Sequence, residues 1–181
     1  MPSLISHAAV AVAAGAAFAP RDVPGQFWTL ALLCSILPDA DVIGFFLGIP
    51  YHHVLGHRGF FHSTFFGLLL SIVVVSIFFH NTDIFSARWF FYLIFFFLLA
   101  ASHGILDAFT NGGLGIALLS PFEPTRYFFP WTPIEVSPIG VKAFFNEWGL
   151  AVMKSELQWI WLPSFIMVVL SALIRRFALR Q

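Results

Sequence analysis

The twenty residues from Phe60 to Phe79 contain no Asp, Glu, Lys or Arg, and this run limits the fold more than any other feature. A helix needs roughly 20 apolar residues to cross the hydrocarbon core of a bilayer. Only 10% of the whole chain is charged, whereas 59% is hydrophobic; a soluble domain usually carries about 25% charged residues. The sequence therefore predicts a protein that lies in lipid. It excludes a disordered chain, a basic nucleic-acid-binding domain and a disulfide-stapled secreted module.

Five apolar runs predict an all-α membrane protein, a single domain over 1–181 that forms a bundle of about five transmembrane helices. The first run lacks the positively charged start of a secretory signal and is interpreted as a helix. The second stops at Pro38-Asp39, so it is either a short tilted span or part of one longer helix that carries Asp39 and Asp41. The predicted spans are 4–19, 27–48, 60–79, 89–109 and 157–174.

The segment 110–156 is rich in Pro, Gly and aromatic residues and is predicted to lie at the membrane interface. Within it, Val141, Phe144, Phe145 and Trp148 recur at i, i+3, i+4 and i+7. That spacing is typical of an amphipathic helix lying in the interface plane.

Alternating the five spans divides the ionisable residues between two sides. The positive-inside rule predicts that one of these sides is cytoplasmic, because it carries five arginines in short connections or in the tail. These are Arg21, Arg88, Arg175, Arg176 and Arg180. The other side, predicted to be extracytoplasmic, receives three of the five aspartates and most of the histidines. Ionisable groups near hydrocarbon are costly and need partners, so a metal site explains them most simply. The predicted metal ligands are His7, Asp39, Asp41, His57, His62, His103 and Asp107.

Two short motifs carry the three aspartates of the predicted ligand set. His103 and Asp107 lie at i and i+4, which places both on one helical face. The two side chains either share one metal ion or bridge two. The alternative is a simple His–Asp hydrogen bond within a bundle. Asp39 and Asp41 follow Pro38 and are either two ligands or part of a helix stop in which an Asp caps.

The segment 57–63, His-Arg-Gly-Phe-Phe-His-Ser, leads into the third span. His62 and Ser63 are expected in the first helical turn, whose free N–H groups favour anions, and Arg58 is expected to hold a phosphate or carboxylate. Ser63 either caps the helix or orients a ligand. Arg126, in the long interfacial segment, either closes over the site and binds substrate charge or anchors in lipid headgroups. The predicted substrate-binding residues are Arg58, Ser63 and Arg126.

These motifs, with a Thr at position 110 and the early His7, resemble those of a family of bacterial and archaeal inner-membrane-bound, metal-dependent hydrolases, one member of which is described as LexA-regulated. The resemblance covers residues 1–130. The order of ligands is also similar to part of the set in zinc-dependent phospholipase C and the related zinc nucleases. No His-x-x-x-Glu pair follows Asp107, and the chain lacks their amino-terminal Trp ligand. The resemblance therefore implies one or two metal ions rather than three.

The resemblance implies a phosphoesterase-like or phospholipase-like hydrolase, in which a metal-activated water attacks an ester or phosphoester of a lipid or another amphiphile. Mixed imidazole and carboxylate ligands favour Zn²⁺, with Mn²⁺ or Fe²⁺ as alternatives. Asp39 or Asp41 is predicted as the general base, and Arg58 is predicted to stabilise charge on a phosphoryl oxygen. Membrane lipids are the expected partners, as solvent and as substrate. The expected location is the inner membrane of a bacterium or archaeon.

Two other classes of function stay open at this point. A metal-ion or proton transport protein would place its ligands near the bilayer midplane within paired repeats. Here the candidates gather at one side and the chain shows no internal repeat. A non-catalytic scaffold would use the metal only to join helices, with a closed four-ligand site, whereas an open coordination position would favour catalysis.

Overall fold

The computed structural model describes residues 1–178, without the side chain of Val141. Within these residues the regular structure is helical, with two isolated bridges between loops and no β-strand, which confirms the predicted all-α class. The α-helices are α1 (Leu4–Phe18), α2 (Gly25–Ile36), α3 (Ile43–Phe46), α4 (Thr64–Phe78), α5 (Ala87–Ala108), α6 (Val141–Phe144), α7 (Glu147–Glu156) and α8 (Leu162–Ala178).

Five apolar helical stretches follow one another as the sequence predicts. Three of them, Gly25–Phe46, Ala87–Ala108 and Glu147–Ala178, are long and apolar enough to cross a membrane. The other two, α1 and α4, are equally apolar but have 15 residues each, about 22 Å at 1.5 Å per residue.

The second span is the longer of the two predicted alternatives, because helical structure continues past Pro38. A 3₁₀ turn, Leu37–Val42, joins α2 to α3 and carries Pro38 in its first turn. Proline is tolerated there since the first turn of a helix leaves its N–H groups unpaired in any case. The two aspartates therefore lie inside a continuous helical stretch rather than after its end.

The helix of the third predicted span begins at Thr64 rather than at residue 60, which corrects the expected position of His62 and Ser63. Ser63 has an extended backbone, and its hydroxyl accepts a hydrogen bond from the N–H of Phe66 at 3.0 Å. His62 lies one residue earlier, in a separate 3₁₀ turn, Phe60–His62. Both residues precede the helix, and Ser63 is its N-cap.

The interfacial helix predicted around residues 141–148 is split. Its first part, α6, ends at Phe144, and the side chain of Asn146 then caps α7 by accepting from the N–H of Gly149 at 3.1 Å. From Glu147 the chain runs through a π-helical turn, Leu157–Trp161, into α8. The last helical stretch thus begins at 147, ten residues before the predicted 157. Arg180 lies outside the described residues.

Aromatic packing holds the helices together below the site. The buried ring of Phe27 on α2 lies 4.7 Å from the ring of Phe95 and 5.5 Å from that of Phe96, both on α5. Cys34 is buried in the same cluster. At the end of the bundle away from the predicted ligands, Arg88 forms an ion pair with Asp22. The α1–α2 and α4–α5 connections therefore share one end, and the predicted ligands share the other.

Candidate metal centre

Seven buried histidines and aspartates meet at one end of the bundle, although they are far apart in the chain. They come from the start of α1, the 3₁₀ turn after α2, the loop before α4 and the last turns of α5. None exposes more than 7% of its surface. The structure thus brings together all the residues that the sequence analysis selected as ligands: His7, Asp39, Asp41, His57, His62, His103 and Asp107.

The first group consists of four residues that each offer one donor atom, with all four atoms within 4.8 Å of one another: Asp39, His62, His103 and Asp107. The Nε2 atom of His62 lies 3.2 Å from Nε2 of His103 and 3.4 Å from one oxygen each of Asp39 and Asp107. Nε2 of His103 lies 3.3 Å from Oδ1 of Asp39. Four donors at about 2.0–2.1 Å from a shared tetrahedral centre lie about 3.3–3.4 Å from one another. The four distances above match that value, and all donor atoms of the group lie within 4.8 Å of one another, so these residues could hold one metal ion.

Hydrogen bonding leaves a free lone pair on His103. Its Nδ1 lies 2.7 Å from the backbone carbonyl oxygen of Ser35. A carbonyl can only accept, so Nδ1 carries the proton and Nε2 presents its lone pair to the centre. A hydrogen bond of this kind is how proteins fix the tautomer and orientation of a metal-binding histidine.

Several polar atoms at the centre lack hydrogen bonds. Among the described residues, nothing donates to either oxygen of Asp39 or Asp107, and Nε2 of His7 has no hydrogen-bond partner. Leaving such groups unpaired in an apolar interior is costly. Of the described residues only Arg58 brings a permanent cation within ion-pair distance of these carboxylates. A divalent cation would remove the excess negative charge, and these residues could hold one.

Asp41 forms a second group with His57 and His62 that also has ligand spacing. Its Oδ1 lies 2.6 Å from Nδ1 of His57. Its Oδ2 accepts a hydrogen bond from the N–H of Arg58 at 3.1 Å and lies 3.1 Å from Nδ1 of His62. The two groups therefore share the His62 ring, one on each nitrogen. Nδ1 of His62 has no hydrogen-bond partner among the described residues, so this nitrogen is also able to bind a cation.

His7 lies at the edge of the first group. Its ring stacks on that of His103 at 3.8 Å between centroids, with 15° between the planes. Its Nε2 lies 3.3 Å from Oδ1 of Asp107, the carboxylate oxygen on the side away from His62. His7 thus brings a fifth possible donor, a third imidazole nitrogen, close to the centre from a different helix.

Arg58 enters the centre from a left-handed backbone position (φ 62°) and is 1% exposed. Its Nη1 donates to the carbonyl of Gly112 at 2.5 Å, and Nη2 donates to the hydroxyl of Thr110 at 3.2 Å. Its Nε lies 3.7 Å from Oδ2 of Asp107 and has no hydrogen-bond partner among the described residues. Burial lowers the pKa of the Arg58 guanidinium, and the Asp107 carboxylate opposes that effect. The unpaired N–H leaves Arg58 able to bind a further oxygen.

Ser63 and Arg126 have structural contacts that account for their conformations. Ser63 caps α4, one of its two predicted roles. The half-buried guanidinium of Arg126 donates to the backbone carbonyls of Tyr51 at 2.9 Å and His57 at 3.0 Å, so it holds the loop that carries the ligands. Substrate binding by Ser63 and Arg126 stays a prediction.

The remaining histidines lie away from the centre. His52 and His53 are exposed in the loop before His57, and His80 is exposed at the other end of the bundle.

Sequence reasoning missed Gly104, where a Cβ atom would lie 2.2 Å from the carbonyl oxygen of His62. It also missed Glu156, which is fully buried against α1.

Comparison with known proteins identifies the relatives of this chain. A family model described as "YdjM inner membrane protein" matches residues 1–180. The chain belongs to the YdjM inner membrane protein family. Consistent with that membership, it is 35% identical over 168 residues to inner membrane protein YbcI of Escherichia coli (strain K12), which covers 93% of this chain and 95% of the relative. No solved structure matches. The YdjM family and the spanning helices together support the predicted inner-membrane location.

Proposed function

We propose that this YdjM family member is a metal-dependent hydrolase of the inner membrane that cleaves an ester or phosphoester of a lipid or another amphiphile. The observation that carries the proposal is a group of four buried donors that could hold a metal ion, in which neither oxygen of Asp39 or Asp107 has a hydrogen-bond partner among the described residues. The unpaired Nε of Arg58 lies beside this group. A centre that only joined helices would not need a buried guanidinium with a free donor.

Asp39, His62, His103 and Asp107 would hold the first ion, and mixed imidazole and carboxylate donors favour Zn²⁺ over Mn²⁺ or Fe²⁺. A Zn²⁺ ion held there would lower the pKa of a bound water to about 7 and would polarise a phosphoryl or carbonyl oxygen. His7, or Asp41 with His57, would complete a site for a second ion.

The two candidate bases differ in what already occupies their oxygens. Both oxygens of Asp41 already have hydrogen-bond partners, Oδ1 with Nδ1 of His57 and Oδ2 with the backbone N–H of Arg58. Oδ2 of Asp39 has no hydrogen-bond partner among the described residues. We therefore assign Asp39 as the base that accepts the proton of the attacking water. Arg58 would donate a hydrogen bond from its Nε–H to the oxygen on which negative charge develops and would keep its proton.

An apolar groove supports an amphiphilic substrate. A cavity of about 390 Å³ lies between α1 and α5, and its lining is almost wholly apolar. One end lies at Val10 and Ser102, within a turn of His7 and His103; the other lies at Phe18 and Phe91. Along α5, the eleven residue steps from Phe91 to Ser102 span about 16 Å. This length is close to half of the roughly 30 Å thickness of the hydrocarbon core. The groove would thus take an acyl chain of one leaflet with its polar end at the level of the metal centre.

A non-catalytic scaffold with a structural metal is the second candidate. The four protein donors could fill a tetrahedral shell without leaving a position for water, as structural zinc sites do. Transport is not proposed because the donors gather at one end of the bundle.

The proposal is tested by metal analysis of the purified full-length protein, followed by phosphodiesterase and lipase assays. We expect one or two ions per chain, and loss of metal and of hydrolysis in His103→Ala and Asp107→Ala. His80→Ala, at an exposed histidine of the other end, is the matched control and should keep both. Wild-type protein without metal contradicts the proposal. Bound metal without hydrolysis of any lipid class favours the scaffold.

A further inference from the structure

A buried carboxylate outside the metal centre holds the first turn of α1. Glu156, the last residue of α7, has no exposed surface. One of its oxygens accepts from the backbone N–H of Ser3, and the other accepts from the hydroxyls of Ser3 and Ser6, each at 2.7 Å. The carboxylate therefore has three neutral donors, and it lies at the N-terminal end of α1, where the helix dipole favours negative charge.

The chain after Glu156 adds a fourth contact to the same turn. Leu157–Trp161 forms a π-helical turn between α7 and α8. The indole N–H of Trp161 donates to the hydroxyl of Ser6 at 2.8 Å. Turns of this kind are rare and occur frequently at functional sites. Ser6 is thus held by Glu156 and Trp161 together.

This network adjoins the metal centre through one peptide bond. Ser6 precedes His7, whose ring stacks on His103 and whose Nε2 faces Asp107. Fixing Ser3 and Ser6 fixes the height and rotation of the first turn of α1. Those two variables decide where the imidazole of His7 lies relative to His103 and Asp107.

A second contact joins the same two helical stretches at the other end of α1. Arg175 of α8 donates to the carbonyls of Ala17 at 2.7 Å and Ala19 at 3.1 Å. It complements the C-terminal end of α1 as Glu156 complements its N-terminal end. Because Arg175 lies far from His7 along α1, it joins the helices without touching the centre.

We propose that Glu156 is a positioning residue of the metal centre, which sets His7 against His103 and Asp107 through its hydrogen bonds to Ser3 and Ser6. The inference rests on the metal site of the proposed function and not on hydrolysis. A glutamine in place of Glu156 would keep the size of the side chain, but its amide would direct N–H donors at groups that already donate.

The test compares Glu156→Gln with Arg175→Gln in the full-length protein in lipid nanodiscs. Zn²⁺ affinity is measured by calorimetry, coordination by the absorption of bound Co²⁺, and stability by thermal unfolding without metal. We expect both variants to unfold at lower temperature. Only Glu156→Gln should weaken Zn²⁺ binding, by about 10–100-fold, and alter the Co²⁺ spectrum.

The His7→Ala background separates positioning from a general loss of structure. If Glu156 acts through His7, Glu156→Gln has no further effect on Zn²⁺ affinity in that background. A full effect there, or an equal loss of affinity in Arg175→Gln, overturns the inference while leaving the proposed function standing. Wild-type protein that binds no Zn²⁺ overturns both. If Glu156→Gln does not fold, Ser6→Ala takes its place, because it removes one of the hydroxyl donors to Glu156. Its effect on Zn²⁺ affinity is then compared with and without His7→Ala.

Discussion

The two aspartates of the turn after α2 have different surroundings. Both oxygens of Asp39 lack hydrogen bonds among the described residues, whereas Asp41 contacts His57, His62 and the N–H of Arg58. The sequence predicted both as ligands and could not separate them. Both lie in one 3₁₀ turn, and at three residues per turn residues i and i+2 point about 120° apart, so the two carboxylates face different neighbours. An unpaired carboxylate can bind a cation, and a paired one can orient the ligand beside it.

Gly104 lies where α5 passes closest to the turn that carries His62. A Cβ atom at this position would lie 2.2 Å from the carbonyl oxygen of His62, so Gly104→Ala must push the two segments apart. We expect the variant to lose about 1–3 kcal/mol of stability through overpacking and to bind Zn²⁺ at least tenfold more weakly. Calorimetry and thermal unfolding check both effects.

Gly25→Ala is the control for this change, since a Cβ atom at Gly25 would meet nothing within 4 Å. Its Zn²⁺ affinity should equal that of the wild type. If Gly104→Ala also binds Zn²⁺ normally, the close approach does not position His62.

At the scale of elements, the sequence predicted the order and apolar character of the helices, but not where each one begins. Scarcity of charge marks the spans because lipid admits few ionised groups. Boundaries depend on single side chains that accept from a backbone N–H, as Ser63 and Asn146 do. Such a cap stabilises a helix start by about 1 kcal/mol. It depends on a single polar side chain, so the hydropathy of the sequence does not reveal it.

The loop before α4 is held by Arg126 rather than by regular structure. Its guanidinium spans the carbonyls of Tyr51 and His57, and a lysine ammonium could not reach both. We expect Arg126→Lys to accelerate amide hydrogen exchange of residues 51–59 by about tenfold, roughly 1.4 kcal/mol of local stability.

Arg21→Lys, at an exposed arginine of the other end, should leave that exchange unchanged. Unchanged exchange in Arg126→Lys, together with a raised KM for a lipid phosphoester, would instead favour the predicted substrate-binding role of Arg126.

Across the whole molecule, charge is separated between the two ends of the bundle. The candidate ligands and Arg58 occupy one end, while Asp22, Arg88 and Arg175 lie at the other. The positions of the charged residues between the predicted spans indicated this division, because the chain reverses its direction after each apolar run. Sequence reasoning missed Glu156, since a glutamate in the predicted interfacial segment is expected to face water. The assignment of the metal end to the extracytoplasmic side stays a prediction.

The groove between α1 and α5 bears on the substrate class that we propose, because one of its ends lies close to the candidate metal centre. Ala14 lines the groove, whereas Ala16, on the same helix, is exposed on another face. We expect Ala14→Trp to fill the groove and lower hydrolysis of a long-chain lipid phosphoester at least tenfold. A short-chain analogue should be hydrolysed at the wild-type rate, because it reaches the metal centre without using the groove.

Ala16→Trp, the same substitution on the lipid-facing surface, should change neither rate, and all three proteins should contain equal metal. If Ala14→Trp slows both substrates alike, its effect is on the centre and not on chain binding. If it slows neither, the acyl chain lies elsewhere and the groove is filled by bulk lipid. Selective loss of the long-chain reaction alone requires a substrate whose head is at the metal centre while its tail lies within the bundle.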